Sequence, residues 1–308
     1  MRVLITGITG FVGIHLNKAL LKQNNEIIGV GREPNASKNI ISYDQLFDGR
    51  EGVQSSVWVH LAGMAQDKKN ADASRYFEVN TELTKRIFNH FLKDNSAHTF
   101  IFFSSVKAAS ARVNDVLTEL ERGILDTAYG ESKRAAEDFL LSQELPSGKR
   151  LIILRPTMIH GEGNQGNLKL LYKFVQKGIP YPFGAFECQR SFLAIDNLIF
   201  LLEKIIDNKD LPSGVYNVAD DNPVSMDNLI GFLATTANKP KRIWKVPAGF
   251  IRISAKFGDL LKLPVNTQFL QKLTDNYVVS NQKIKDALNI DKLPVTAEEG
   301  IKKTASTL

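Results

Sequence analysis

The 308-residue sequence predicts an α/β protein in which helices cover both faces of a parallel β-sheet. Three observations support this fold. Short apolar runs alternate with longer segments of helical spacing through the first half of the chain. The short runs are apolar at consecutive positions, which is typical of strands buried on both faces of a sheet. Finally, the first run leads through closely spaced glycines into a helical segment, the strand–turn–helix arrangement of an α/β unit.

The predicted elements follow one another in a regular order. Strands are predicted at 2–6, 26–30, 57–61, 99–103 and 151–154, and helices at 11–22, 74–92 and 129–141. The stretch 33–52 is polar and has only a weak strand signal at Ile40 and Ile41, so we expect a shortened or irregular unit there. A helix at 195–206 and a strand at 214–218 are expected to rejoin the main sheet.

Composition narrows the class of protein. The net charge is +6 and the isoelectric point is near 9.2, but the basic residues are scattered, which is typical of solvated helix faces rather than of a nucleic-acid site. The single cysteine, Cys188, excludes an internal disulfide and fits a reducing compartment. No apolar run approaches the roughly 20 residues that span a bilayer. We therefore expect a cytoplasmic protein without membrane insertion or a nucleic-acid partner.

The segment 6–13, Thr-Gly-Ile-Thr-Gly-Phe-Val-Gly, has the spacing of a dinucleotide-binding loop. Its first glycine allows the tight turn, its second lets the backbone approach a pyrophosphate, and its third allows close helix–strand packing. The helix N-terminus then offers unpaired N–H groups to the phosphates. The residues predicted to contact the cofactor here are Gly7, Thr9, Gly10, Phe11, Val12 and Gly13. The sequence thus predicts a Rossmann-type, doubly wound sheet that binds NAD(H) or NADP(H).

The end of the second strand bears on which dinucleotide binds. The Rossmann pattern expects Asp or Glu there, bonded to the ribose 2′-hydroxyl, whereas this chain has Gly31 and Arg32. A guanidinium can hold a 2′-phosphate through charge-assisted hydrogen bonds, which favours NADP(H) over NAD(H). The alternative is that Arg32 is a solvent-facing loop residue and that Glu33 replaces the missing acid.

Tyr129 and Lys133 are spaced i and i+4 on a predicted helix, so a phenol and an ammonium share one helix face. A phenol with the ordinary pKa of about 10 is a poor base at neutral pH, and a nearby cation stabilises the phenolate. Ser105 follows the strand at 99–103, at the carboxyl edge where open α/β sheets bind ligands. Serine there can bond a substrate oxygen or cap a turn; with Tyr129 and Lys133 nearby, we favour catalysis.

The alternation of strands and helices changes after Pro156, because Gly and Pro recur through the stretch 161–184. We predict a Rossmann dinucleotide-binding domain at 1–163, which is rejoined by about 191–220. The remainder, 164–308, is predicted to form mainly a smaller C-terminal substrate-binding lobe, built by regions near 164–190 and 222–285.

Further short motifs accompany the glycine loop. They are Val59-His60-Leu61-Ala62-Gly63, Val79-Asn80-Thr81, Phe103-Ser104-Ser105, Tyr129-Gly130-x-x-Lys133, Leu154-Arg155-Pro156 running to His160-Gly161, and Arg190-Ser191-Phe192 before Asp196. Over nearly the whole chain the set resembles the extended short-chain dehydrogenase/reductase family, specifically its nucleotide-sugar epimerase/dehydratase branch. Each motif is modest alone, and together they are specific.

The resemblance implies roles for the matching positions. Ser105, Tyr129 and Lys133 match the catalytic triad, and Lys133 also holds the nicotinamide ribose. Asn167 and Arg190 match residues that grip the diphosphate of a sugar nucleotide, a task that suits a planar guanidinium. The other positions assigned to the cofactor are Leu61, Ala62, Gly63, Asn80 and Pro156. His60 has no partner at metal-ligand spacing and is interpreted as strand-end structure, so no metal site is predicted.

Three departures from the branch matter. Its dehydratases carry an acidic residue directly after the catalytic hydroxyl, whereas Val106 and Lys107 follow Ser105 here, which argues against 4,6-dehydration. The stretch 108–110 reads Ala-Ala-Ser where the family commonly has Val-Tyr-Gly. The acidic residue with which epimerases hold NAD is absent beside Arg32, which weakens the epimerase hypothesis.

The sequence-based hypothesis is hydride transfer at C4 of a nucleotide sugar, with a UDP sugar favoured, in bacterial-type surface polysaccharide synthesis. The family label favours a 4-epimerase. Arg32 favours the alternative, an NADPH-dependent reductase of a UDP-4-keto-6-deoxy sugar. The Ser-Ser-Val-Lys form at 104–107 resembles enzymes of bacterial surface polysaccharide synthesis, some of which are 4-keto reductases. A non-catalytic NADP-binding sensor is a further alternative, against which the retained Tyr129 and Lys133 argue. Apolar residues on the Tyr129 helix fit either a homodimer interface or ordinary sheet packing.

Overall fold

The computed structural model describes residues 1–48, 53–64, 72–164, 166–260 and 267–308. Its strands are β1 (Arg2–Thr6), β2 (Glu26–Gly31), β3 (Ile40–Ser42), β4 (Val57–His60), β5 (Thr99–Phe103), β6 (Val116–Leu117), β7 (Arg150–Pro156), β8 (Met158–His160), β9 (Gln189–Arg190), β10 (Phe192–Ala194), β11 (Gly214–Val218), β12 (Val224–Ser225) and β13 (Val278–Val279). Seven of them form one sheet in the order β11-β7-β5-β4-β1-β2-β3. Every pairing in this sheet is parallel, as the sequence predicts.

Helices connect the strands and cover the sheet. They are α1 (Phe11–Lys22), α2 (Tyr43–Phe47), α3 (Ala73–Phe77), α4 (Leu83–Lys93), α5 (Val106–Ala109), α6 (Ala128–Leu141), α7 (Asn167–Gln176), α8 (Ile195–Asp207), α9 (Met226–Thr236), α10 (Ala248–Leu260), α11 (Thr267–Thr274), α12 (Gln282–Leu288) and α13 (Ala297–Ser306). A π-helical turn, Glu78–Glu82, joins α3 to α4, so the helix predicted at 74–92 contains a change of winding.

Successive residues of each central strand point to opposite faces of the sheet. In β5, Ile101 packs with α1 and α8 on one face, whereas Phe100 and Phe102 pack with α4 and α6 on the other. Both faces are therefore buried, which explains why the strands read as continuous apolar runs. This doubly wound arrangement confirms the predicted fold class.

The weak and late elements also agree with the sequence. The polar stretch after β2 forms the three-residue strand β3 and the short helix α2, which begins with a capping box between Ser42 and Gln45. The helix α8 leads to β11, which pairs with β7 at the edge of the main sheet. The expectations of a shortened unit and of a rejoining helix and strand are confirmed.

A third apolar cluster lies apart from the two faces of the sheet. It combines residues of α7, α9 and α13 with those around β9, including the buried Cys188, which forms no disulfide. This small core agrees with an appended lobe, while the exact domain boundaries stay a prediction. Within the described ranges, no helix is long and apolar enough to cross a membrane.

Candidate active site

The glycine loop forms a cradle of bare backbone between β1 and α1. Gly7 has φ +71°, and a Cβ there would lie 2.8 Å from the main-chain nitrogen of Ala62. A Cβ on Gly13 would clash with the main-chain oxygen of Gly7 and lie 2.7 Å from the Cα of Ile8. Gly10 is the N-cap of α1 and provides no side-chain cap. The helix N-terminus is thus open to an anion, so the cradle fits a dinucleotide pyrophosphate.

The loop after β4 runs from this cradle towards α6. The main-chain nitrogen of Leu61 donates to the oxygen of Thr6 (3.2 Å), and that of Ala62 donates to the Thr6 hydroxyl (3.2 Å). At the far end of the loop, a Cβ on Gly63 would lie 3.1 Å from Nζ of Lys133. The three loop residues predicted to follow the cofactor thus span the gap between the glycine loop and Lys133.

Asn80, on the π-helical turn, fixes the loop to α6. Its Oδ1 accepts from the main-chain nitrogen of Met64 (2.8 Å), and its Nδ2 donates to the oxygen of Met64 (3.2 Å) and to Oγ of Ser132 (3.0 Å). The side chain is fully buried. These hydrogen bonds hold the loop at a fixed distance from α6, and the part of Asn80 in cofactor binding stays a prediction.

Lys133 is a buried cation at the carboxyl edge of the sheet. Its Nζ donates to the main-chain oxygen of Phe103 at 2.7 Å and lies 5.0 Å from the ring centre of Phe102. Burial lowers the pKa of Lys133 to about 8, against the opposing field of the Glu137 carboxylate. The ammonium is therefore still protonated at neutral pH, yet close to the pH at which it loses its proton.

The short helix α5 and the longer helix α6 start next to each other at the same edge. Ser105 is the N-cap of α5, and its hydroxyl accepts from the main-chain nitrogen of Lys107 (3.2 Å). Tyr129 stands in the first turn of α6, half-buried, with its ring against that of Tyr76 (6.3 Å between centres). A Cβ on Gly130 would lie 2.7 Å from the oxygen of Lys107, so only a glycine lets α6 approach α5 this closely.

Beneath this edge lies a charged network that the sequence did not reveal. The Arg155 guanidinium donates to both carboxylate oxygens of Glu137, with Nη2 2.6 Å from Oε2, and Ser104 donates to Oε1. Both charged side chains are almost fully buried. The available signal was the i+4 spacing of Glu137 from Lys133, which places both on one face of α6. Nothing local indicates that Arg155, on β7, meets that face.

His60 ends β4 and bonds to its neighbours through both ring nitrogens, to Oγ1 of Thr6 (2.6 Å) and Oγ1 of Thr84 (2.9 Å). Burial, reinforced by the Lys133 charge, lowers the pKa of His60 to about 3, so the ring is neutral. This agrees with its interpretation as strand-end structure. The described residues contain no cluster of His, Cys, Asp and Glu that could hold a metal ion.

The remaining predicted residues lie farther along the same edge or in the lobe. Arg32 follows β2 and is exposed. Pro156 is buried at the end of β7, beside Val218 of β11. Arg190, on β9, donates from Nη2 to the main-chain oxygen of Asp275 (3.2 Å). Asn167 is the first residue of α7, but its side chain lies outside the described residues.

Residues 3–219 match the model of the NAD dependent epimerase/dehydratase family. The chain belongs to this family. The match covers the glycine loop, the Tyr129 helix and Arg190, and it confirms the resemblance stated from the sequence.

Several of the chain's relatives are nucleotide-sugar epimerases and reductases. The chain is 30% identical to UDP-glucose 4-epimerase of Vibrio cholerae, over 98% of this chain and 94% of that protein. It is 24% identical to GDP-6-deoxy-D-mannose reductase of Pseudomonas aeruginosa, over 80% and 84% of the two chains. The fold is similar to that of UDP-glucuronic acid 4-epimerase from Bacillus cereus in complex with NAD, with a TM-score of 0.75, 19% identity and coverage of 100% and 98%.

Proposed function

We propose that this chain is a 4-epimerase of a nucleotide sugar, with a UDP sugar as its substrate and NAD(H) or NADP(H) as its cofactor. The buried Lys133 ammonium carries the proposal, since it lies beside Gly63 and on the same helix face as Tyr129. Similarity to the Vibrio cholerae UDP-glucose 4-epimerase over nearly the whole chain supports both the reaction and the nucleotide.

The residues would divide the chemistry as follows. Tyr129, as the phenolate, would take the proton from O4 of the sugar and, as the phenol so formed, would return it, while the Lys133 charge stabilises the phenolate. The Ser105 hydroxyl holds the same sugar oxygen. The bound nicotinamide would accept and return the hydride at C4. Arg190 and Asn167 would hold the diphosphate, because a planar guanidinium matches phosphate oxygens.

The bare cradle at Gly7, Gly10 and Gly13 would hold the pyrophosphate against α1, with Thr9, Phe11 and Val12 beside it. Leu61, Ala62 and Gly63 would line the path of the cofactor, and Pro156 would contact it from the end of β7. Lys133 would also bond the nicotinamide ribose, because its ammonium has donors beyond the one given to Phe103.

The test of the proposal is conversion of UDP-glucose to UDP-galactose by purified protein without added reductant. We expect turnover, and we expect Tyr129→Phe to lower kcat by at least about 1,000-fold, since the hydroxyl that exchanges the proton is gone. Dinucleotide affinity should change less than about three-fold, because the ring remains in place.

Tyr76→Phe is the matched control, since the ring of Tyr76 packs against that of Tyr129. The substitution also removes a phenol hydroxyl, but from the neighbouring ring. This variant should keep most of the wild-type turnover. Retained turnover in Tyr129→Phe would remove Tyr129 from the chemistry, and equal losses in both variants would indicate a packing defect instead.

A second candidate function, an NADPH-dependent 4-keto reductase, is supported by Arg32. The guanidinium is exposed directly after β2, where the family of Rossmann proteins that prefers NAD places a carboxylate. Similarity to the Pseudomonas aeruginosa reductase agrees with this alternative. Protein that retains stoichiometric NAD after purification would favour the epimerase, whereas an empty protein that accepts NADPH would favour the reductase.

Arg32→Ala tests the cofactor preference directly. Loss of the guanidinium should weaken NADP(H) binding by about ten-fold or more and NAD(H) binding far less, because only NADP(H) carries the 2′-phosphate. Lys38→Ala, which removes another exposed cation from the same connection, should leave both affinities near wild type. Equal losses for both dinucleotides in Arg32→Ala would contradict the 2′-phosphate assignment.

A further inference from the structure

Three large apolar side chains are strongly exposed in one stretch of the lobe, 244–253. Trp244 is 60% exposed, Phe250 is 68% exposed and Ile253 is 56% exposed. We call these three residues the apolar patch. Phe250 and Ile253 are three residues apart on α10 and therefore share one helix face.

The backbone around Trp244 holds its side chain outward. The main-chain nitrogen of Trp244 donates to the oxygen of Tyr181 (2.8 Å), and its oxygen accepts from the nitrogen of Gly184 (3.0 Å). The preceding side chain, Ile243, packs against the third apolar cluster. Because neighbouring side chains of an extended segment alternate in direction, burial of Ile243 turns Trp244 to the surface.

The loop at 181–186 joins the two parts of the patch. The backbone of Lys245 forms an antiparallel β-bridge with that of Phe183. The ring centres of Phe183 and Phe186 lie 6.5 Å apart. The guanidinium of Arg252, between Phe250 and Ile253 in α10, lies 5.9 Å from the Phe186 ring centre. The Trp244 segment and the start of α10 are thus supported by one loop.

Within the stretch of sequence that carries the patch, every charged residue is basic. The stretch 239–256 contains six basic residues, Lys239, Lys241, Arg242, Lys245, Arg252 and Lys256, and no acidic residue. The whole chain has 39 basic and 33 acidic residues. Outside this stretch, basic and acidic residues are therefore equal in number. Lys241 is partly offset by an ion pair with Asp227, while Lys245 and Arg252 are exposed beside the apolar side chains.

We propose that the apolar patch and its basic surroundings dock on an anionic phospholipid bilayer. Exposed Trp, Phe and Ile beside Lys and Arg, on a helix and on the segment that leads into it, are features of a surface that lies in the membrane–water interface. Interfaces between proteins are depleted of lysine at their centres, which makes a protein partner the poorer match. Docking of this kind needs no spanning helix.

The patch adjoins the candidate substrate site. Arg252 and Asp275 line the same cavity, together with Phe186 and residues of α11. The main-chain oxygen of Asp275 accepts from the Arg190 guanidinium. A protein docked through the patch would therefore hold its proposed diphosphate site next to the bilayer surface. The docking itself stands on the patch alone and is independent of the reaction.

The test is binding of the purified protein to vesicles of phosphatidylcholine with about 30% phosphatidylglycerol, compared with pure phosphatidylcholine, at about 0.1 M salt. Of the two tryptophans, Trp58 is buried and Trp244 is exposed. A change in tryptophan fluorescence on binding therefore reports on the patch. We expect cosedimentation with the anionic vesicles only, a blue shift of the emission, and quenching by a lipid-borne quencher.

Variants separate docking from general attraction by a basic protein. Trp244→Ser with Phe250→Ser and Ile253→Ser should lower vesicle affinity by at least about ten-fold. Lys245→Gln with Arg252→Gln should also lower it by more than about ten-fold, at about five-fold for each charge. The matched control is Leu120→Ser with Ile124→Ser, because these side chains are 95% and 85% exposed but have acidic neighbours; it should bind like wild type.

Three results would overturn the proposal. These are absence of binding to anionic vesicles, binding without any change in tryptophan emission, and binding that the triple serine variant retains. Conversion of an oligomer to a monomer by the triple variant, measured by analytical ultracentrifugation, would reassign the patch to a protein interface. Unchanged dinucleotide affinity in each variant shows that the protein is folded.

Discussion

At the scale of single residues, the ionisation of Lys133 is the feature with the most direct consequence. Burial lowers its pKa to about 8, and the proposed reaction needs the ammonium to stabilise the Tyr129 phenolate. We therefore expect kcat/KM to fall as the pH rises through about 8, approaching a ten-fold loss for each further pH unit. The measurement is the pH profile of the epimerase assay.

The sign of the stability effect distinguishes this loss from unfolding. Between about 8 and 10.5 the unfolded chain keeps a proton on Lys133 that the folded chain has released, so this group's contribution to folding stability rises with pH. A falling rate in this window at an undiminished melting temperature fits Lys133. A rate that stays flat to pH 10 would contradict the assignment.

Sequence reasoning at this scale found the candidate catalytic residues and missed the ion pair that lies beneath them. Tyr129 and Lys133 were found because their i+4 spacing is visible in one short segment. Arg155 and Glu137 were missed as a pair, since their meeting depends on how α6 packs on β7. Asn80 was found as a motif, but its bonds to Met64 and Ser132 could be assigned only with the loop and helix in place.

At the scale of elements, the turn from β1 into α1 combines two separate demands on glycine. Gly13 is buried against the turn, whereas Gly10 is exposed at the helix N-terminus. Gly13→Ala should lower the free energy of unfolding by about 1–3 kcal/mol, because its Cβ would overlap the main chain of Gly7 and Ile8. Thermal or denaturant unfolding measures this loss.

Gly10→Ala is the paired variant. Its Cβ would lie 3.1 Å from the oxygen of Gly7, a tight but open position. We expect near wild-type stability and a clear loss of dinucleotide affinity, because the added methyl would occupy the approach of the pyrophosphate. If both variants lost stability equally, the division between a packing glycine and a binding glycine would be wrong.

The order of elements was predictable because each strand and helix carries its own local pattern. Continuous apolar runs mark β4, β5 and β7, and the capping box at Ser42 explains how a short helix forms in the polar stretch after β3. The π-helical turn at 78–82 was not predictable, since its winding serves to bury Asn80 and Thr81 against α6. That demand comes from packing and leaves the helical periodicity almost unchanged.

At the scale of the whole molecule, Tyr277 ties the C-terminal region to the segment that begins with Ser105. Its hydroxyl donates to the main-chain oxygen of Ser110 (2.7 Å), and the Lys107 ammonium lies 3.7 Å from its ring centre. The adjoining strand β13 pairs with β6. The position of Ser105 thus depends on residues far apart in the sequence.

Tyr277→Phe should therefore affect catalysis more than cofactor binding. The ring and its contact with Lys107 remain, but the hydrogen bond that fixes the end of α5 is lost, at a cost of about 1 kcal/mol in stability. We expect kcat to fall by about three- to ten-fold, as for a misplaced catalytic group, with dinucleotide affinity unchanged. Tyr216→Phe removes a similar hydrogen bond, to the oxygen of Pro212 (2.8 Å), at the far edge of the sheet. It should cost comparable stability and leave kcat near wild type, so that equal effects of the two variants on kcat would show that Tyr277 acts through stability alone.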